Sequence, residues 1–330
     1  MMISVIMPVY NGEKTIRQAI RSVLYNQGDV KIEMIVVDDG STDRTPEILR
    51  ELQAEMSNLH VARQRNMGPG AARNAALKQA KGEFVTFLDA DDYFEPLVLE
   101  RMAKWMNNCR LGKGADACVA GTRYRLGNIP IGNGIECWHE INKPVINAWE
   151  GNFLVEITPG VRAKMFRREI LDGLTFATCK WEDLAFVPAA LARAKEIAVL
   201  NEPVYNYRIH LNTTVKDFFV PCKVEDILIS AEILKLNLAR SLQDNLHNVK
   251  YFAAYQSILT LNTVFRMQNV MTWCGVSRAE KRKTILDLAN RLAERYPDWR
   301  NDAVLCDPEW GYKDPFFRFM LRRLYAKYLD

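Results

Sequence analysis

Apolar residues in the first hundred positions fall into two rhythms that alternate along the chain. Residues 3–7, 34–37, 59–62 and 84–88 form short, nearly continuous apolar runs, the pattern of strands buried on both faces. Between them, Ile16, Ala19, Ile20, Val23 and Leu24 follow helical spacing, and residues 68–80 make an alanine-rich helical stretch. Thr45-Pro46-Glu47 reads as a helix start, with an N-cap, a proline at the first position and an acid favourable to the dipole. Strands alternating with crossover helices predict an α/β architecture built on a doubly wound, mostly parallel sheet. In such sheets ligands bind beyond the carboxyl ends of the strands. Pro8-Val9-Tyr10-Asn11, Asp38-Asp39-Gly40-Ser41 and Asp89-Ala90-Asp91-Asp92 all fall at those ends.

Beyond the first hundred residues the rhythm changes. Residues 110–150 are rich in glycine, asparagine and proline and lack periodicity, as expected of a loop region flanking a site. From Cys222 onward the pattern turns helical. Residues 249–271 are amphipathic, and Ser277-Arg278-Ala279-Glu280 fits a capping box opening a helix that runs toward Arg295. The chain therefore divides into an α/β domain, 1–215, and a helical region, 216–330, expected to supply acceptor, membrane-surface or oligomer contacts. Residues 314–329 combine basic and aromatic side chains at helical spacing. Such a helix suits an anionic membrane surface and equally suits packing onto the domain.

Composition acts mainly by exclusion. A chain of 330 residues, 48% hydrophobic and 25% charged, has a real core and a soft prior of about two domains. A net charge of +4 does not point to nucleic acid. The seven cysteines are scattered, odd in number and without CxxC spacing, which reads as reduced thiols of a cytosolic protein. The start of the chain shows no basic segment followed by an apolar one, and no run of 18 apolar residues occurs. The expectation is a cytoplasmic protein without a signal peptide or a spanning helix.

Candidate chemistry sits in five short stretches. Asp89, Asp91 and Asp92 repel one another, so they either hold a cation or cap the helix ahead. Asp38-Asp39-Gly40-Ser41 has a plain turn reading. Gly68 to Asn74 places small residues at a helix start, allowing close backbone approach and attracting anions, though no Walker motif is present. Arg65 and Arg73 face that anion or serve structure. Trp181-Glu182-Asp183 offers an acidic pair at a helix start, favoured by the dipole and suited to proton abstraction. Tyr205-Asn206-Tyr207-Arg208-Ile209-His210 adds a guanidinium for charge-assisted bonds and an imidazole.

In order and spacing, these stretches resemble the inverting family 2 glycosyltransferases of GT-A fold across residues 3–215. The resemblance implies direct transfer of a sugar from a nucleotide-sugar to a hydroxyl, with Asp183 as general base and Glu182 beside it on the acceptor. Trp181 stacks on the acceptor sugar or is a buried core residue. Pro8 and Tyr10 line the base pocket, with core packing as the alternative for Tyr10. Asp39 pairs with the nucleobase, and a carboxylate accepting from a uracil N–H makes a UDP-sugar the expected donor. Arg65, Gly70, Arg73, Asp89, Ala90 and Arg208 complete the donor side, with Asp89 meeting the ribose or the metal's water shell. Asp91 binds Mn²⁺ or Mg²⁺, His210 is a second candidate ligand, and Asp92 shapes the turn. The acceptor is a saccharide or lipid-linked chain of bacterial surface-polysaccharide or lipopolysaccharide assembly, with peripheral placement on the cytoplasmic face of the inner membrane. Two rivals are a non-catalytic nucleotide-sugar-binding scaffold, which needs no acceptor-side base, and a sugar nucleotidyltransferase. The latter expects a glycine-rich, basic loop after the first strand, where this chain has PVYNGEK.

Overall fold

The computed structural model describes residues 1–24, 28–108, 114–135, 144–147, 157–179 and 182–209, with separate positions between 229 and 237 and at 277 and 279. The apolar runs become strands β1 (Met2–Val9), β2 (Lys31–Asp38), β3 (Leu59–Arg63) and β4 (Phe84–Phe87). Helices α1 (Ile16–Leu24), α2 (Thr45–Glu55) and α3 (Pro69–Leu77) cross between them. A two-residue strand β5 (Tyr93–Phe94) and helix α4 (Val98–Asn108) follow. Next come β6 (Ala117–Leu126), β7 (Ile129–Ile135), β8 (Val145–Asn147), β9 (Lys164–Arg167), helix α5 (Asp183–Arg193) and the long strand β10 (Glu196–Ile209).

These strands form one mixed sheet in the order β3-β2-β1-β4-β9-β6-β10-β5, with β7 beside β6 and β8 beside β10. Its leading half, β3-β2-β1-β4, is wholly parallel. Strand β9 runs antiparallel between β4 and β6, while β6 and β10 are parallel. Because side chains alternate along a strand, β1 feeds both faces. Ile6 packs with α3 and α5 on one side, and Val5 and Met7 pack with α1, α2 and α4 on the other. Phe87 anchors the first of these cores, with edge-on contacts to Phe166, Phe176 and Phe186, while Phe176 and Phe186 stack at 3.8 Å.

Three local expectations are corrected by the structure. The first strand does not end with the apolar run 3–7 but continues through Pro8 to Val9: Ile6 is the last residue of β1 in register with β4, and Pro8 pairs only with Val37 on the β2 side. A proline is tolerated where one side of a strand has no ladder to join. Thr45 is not a side-chain N-cap. Its hydroxyl accepts from the Gly12 N–H at 2.8 Å, and the Asp43 carboxylate takes the Thr45 N–H at 2.9 Å instead. The aperiodic stretch 110–150 contains the β6–β7 hairpin and β8, since six successive small or apolar residues from Ala117 are buried on both faces and leave no alternation to detect. The helices expected at 249–271 and 277–295 and the basic segment 314–329 lie almost wholly outside the described residues. Leu234, at the start of that region, packs into the core with Phe176 and Phe186.

Candidate active site

At the carboxyl ends of β1 and β2, two loops are knitted by hydrogen bonds. Asn11, at φ 52°, takes the Thr42 N–H on its side-chain oxygen at 2.8 Å and donates its own N–H to Ser41 Oγ at 2.9 Å. Asn is among the residues that tolerate this left-handed backbone. Gly40 is also left-handed, at φ 79°, and a Cβ there would lie 2.9 Å from the Asn66 nitrogen. Asp38 accepts from the Ser41 N–H at 2.9 Å and ion-pairs with Arg63 at 3.3 Å. Asp39 is buried and gathers the next loop: its oxygens accept from Gln64 Nε2 and from the Met67 and Gly68 N–H groups, all within 2.9 Å. Pro8 is buried and Arg65 exposed. Tyr10 is 51% exposed at this rim, so its core-packing alternative is not realised.

The DADD turn divides its acids. Asp92 is fully buried, with its N–H bonded back to Asp89 O at 3.0 Å. Its carboxylate accepts from the Tyr205 hydroxyl at 2.9 Å and the Arg208 N–H at 2.8 Å, while the same hydroxyl accepts from the Asp89 N–H at 3.1 Å. Burial first, then the Asp91 and Asp89 charges, push the Asp92 carboxyl well above the ordinary carboxylate range. Arg208 holds the turn from outside. It donates to the Asp91 carbonyl at 3.0 Å, bonds Gln18 of α1 and lies 4.9 Å from the Tyr93 ring centre. Asp89, Ala90 and Asp91 stay only partly buried. Tyr205, which the sequence offered only as part of the Tyr205–His210 stretch, is fully buried, and its hydroxyl joins Asp89 to Asp92.

Helix α3 brings the remaining acids together. Gly70, Arg73 and Asn74 share one face at helical spacing, and all three meet residues 175–183. A Cβ on Gly70 would sit 1.8 Å from the Ala177 carbonyl oxygen and 3.0 Å from Glu182 Cβ. Asn74 exchanges bonds with the Phe176 backbone at 2.8 and 3.0 Å, and Asn237 binds the Thr175 and Ala185 carbonyls from the other side. Arg73, 3% exposed, lies between. Its Nη1 donates to Glu182 at 2.5 Å and to Asp183 at 3.4 Å, and its Nη2 donates to Asp89 at 2.7 Å. Burial works against its charge, and the three carboxylates more than offset that, so its proton is held more tightly than in an ordinary guanidinium.

Asp183 opens α5 and also accepts from the Val161 N–H at 3.4 Å. Burial pushes its carboxyl up to about 7, opposed by Arg73 and aided by the Glu182 and Asp89 charges. A carboxylate near neutrality suits a general base. Trp181 and His210 lie outside the described residues. Among the described residues no three His, Cys, Asp or Glu groups gather to hold a metal by themselves. A hard cation that arrives with a diphosphate needs only one or two carboxylates, so the partly buried Asp91 fits as one such carboxylate in this turn.

Residues 4–173 match the family model described as Glycosyl transferase family 2. The chain belongs to this family, and is a glycosyltransferase. EpsH of Bacillus subtilis is 28% identical to this family 2 enzyme, over 97% of this chain and 86% of its own length. The poly(ribitol-phosphate) beta-N-acetylglucosaminyltransferase TarS of Staphylococcus aureus is 28% identical over 74% of this chain and 43% of TarS. The crystal structure of S. aureus TarS 1–349 in complex with UDP-GlcNAc matches with a TM-score of 0.70 at 24% identity, covering 99% of this chain and 89% of that one. The likeness shows a GT-A fold.

The close approach of α3 to Ala177 gives a direct test. Gly70→Ala forces a Cβ against a backbone carbonyl and should destabilise the fold by about 1–3 kcal/mol or more in denaturant titration. Gly132→Ala, with nothing within 4 Å of its new Cβ, should change stability by no more than about 0.5 kcal/mol. Equal effects of the two substitutions would contradict the packing described.

Proposed function

We propose that this family 2 enzyme transfers a sugar from a UDP-sugar to a hydroxyl of a saccharide or lipid-linked acceptor, with inversion, in assembly of a bacterial surface polysaccharide. The observation that carries the reading is the meeting of Asp89 of the DADD turn with Glu182 and Asp183 on the guanidinium of Arg73. Donor-side and acceptor-side acids thereby share one site. Asp183 takes the acceptor hydroxyl proton as that oxygen attacks the anomeric carbon, and the bond from that carbon to the diphosphate breaks, releasing UDP. Glu182 orients the acceptor. Asp39 reads the base, whose pocket Pro8 and Tyr10 border, while Asp89 reaches the ribose and Arg65, Gly70, Ala90 and Arg208 frame the rest of the donor. Asp91 would hold Mn²⁺ or Mg²⁺, which supplies Lewis-acid neutralisation of the leaving diphosphate. His210 is a second ligand candidate and Trp181 an acceptor stacker.

TarS, crystallised with UDP-GlcNAc, supports the uridine donor by likeness. TarS and a Bacillus spizizenii relative are named for poly(ribitol-phosphate), which supports a surface-polymer setting. No helix among the described residues is long and apolar enough to cross a membrane. Placement on the cytoplasmic membrane face through residues 314–329 is part of the same reading.

Thermal-shift screening of UDP-, GDP- and dTDP-sugars with Mn²⁺ identifies the donor, since a ligand stabilises the state that binds it. Stabilisation by GDP- or dTDP-sugars alone would overturn the uridine assignment. With the selected donor, Asp183→Asn should lower transfer by about 10²–10⁴-fold while UDP affinity stays nearly intact. Weakened UDP binding with transfer retained contradicts the base role. Asp91→Ala should abolish the Mn²⁺ dependence of UDP binding in calorimetric titration. A variant whose UDP affinity still tightens with Mn²⁺ as the parent's does removes Asp91 from the metal.

A further inference from the structure

Arg73 is spent before any donor arrives. Both of its Nη groups are on carboxylates, its Nε has no partner, and its guanidinium carbon lies 5.6 Å from the centre of the Phe176 ring. It projects from α3, which Gly70 and Asn74 clamp to residues 175–183. The three acids it touches come from two separate places: Asp89 from the turn after β4, and the adjacent Glu182 and Asp183 from the start of α5. A guanidinium is a planar fork with donors pointing in fixed, divergent directions, whereas an ammonium is a point charge. Only the fork holds an acid on each side at a set separation.

We propose that Arg73 is a positioning residue that ties Asp89 to the Glu182–Asp183 pair and so aims the acceptor-side base at the donor. The proposal rests on the reading of Asp183 as the base. Arg73 acts through Asp183 and Asp89; loss of its fork disturbs the chemical step far more than nucleotide binding, which Asp89 shares with other donor-side residues. A donor ligand would behave the other way round, losing affinity first. A residue important only for folding would lower stability without separating the two.

The test is Arg73→Lys in the full chain, which keeps the charge and loses the fork. We expect kcat for UDP release from the screened UDP-sugar to fall by at least about 100-fold. UDP affinity with Mn²⁺ should stay within about threefold, because the retained lysine charge still answers Asp89. A large loss of UDP affinity with kcat retained makes Arg73 a donor ligand and overturns the proposal, as does an unchanged kcat. Asp183→Asn, run alongside, separates the two levels. If it still transfers sugar, the base reading fails. If it is dead while Arg73→Lys is fully active, only the positioning role fails. Should Arg73→Lys not fold, Arg73→Gln in a Glu182→Gln background leaves fewer unpaired charges, and its kcat and UDP affinity are compared with Glu182→Gln alone. If neither folds, Arg73 is a structural residue and the proposal is overturned.

Discussion

One buried guanidinium among three carboxylates sets the geometry of this enzyme. Taking such charges out of water is costly, and breaking one partner of a buried set commonly costs about 3–5 kcal/mol because the other charges stay buried and unpaired. The arrangement is therefore stiff. Helix α3, the DADD turn and the start of α5 cannot shift independently while Arg73 bonds Asp89, Glu182 and Asp183. The surrounding contacts serve the same end. Gly70 lets α3 reach the Ala177 carbonyl, Asn74 bonds the Phe176 backbone, and Asn237 bridges Thr175 and Ala185. The stacked Phe176 and Phe186 form the apolar floor beneath.

The same logic explains why three aspartates tolerate one turn. Asp92 faces inward and is bound by Tyr205 and the Arg208 backbone, and burial raises its proton affinity. Asp89 is answered by Arg73. Asp91 is the acid we propose for a cation carried in by the donor, and Arg208 holds its carbonyl and the turn's outer edge. The roles separate by partner: Asp92 bonds Tyr205 and the Arg208 N–H in the interior, and Asp89 bonds Arg73 of α3.

The leading half of the sheet was legible because its strands are buried on both faces and separated by strongly periodic helices. The hairpin of β6 and β7 was not, because Ala117 to Thr122 carries small residues without alternation. The acidic motifs and their place at strand ends were legible too, as was the pairing of Glu182 with Asp183 at a helix start. What sequence does not reveal is contact across distance. Arg73 and Glu182 are 109 positions apart, and Asp92 and Tyr205 are 113 apart. Local reading offered Arg73 to the donor or to structure, and only the packing of α3 against α5 shows its three partners. Thr45 is a small case of the same kind, its hydroxyl drawn from the expected cap to the Gly12 backbone.

The account stands or falls on the state of Asp183, the acid we propose as base, enclosed with two other acids around a single guanidinium. The most direct measurement is the pH dependence of kcat/KM for transfer, which follows the groups of the enzyme before substrate binds. A carboxyl pushed up to about 7 must lose its own proton before it can take one from the acceptor. The rate should therefore climb with pH through about 7 and fall roughly tenfold per pH unit below that point. A rate that stays flat down to about pH 5, as an ordinary carboxylate base would give, contradicts the account.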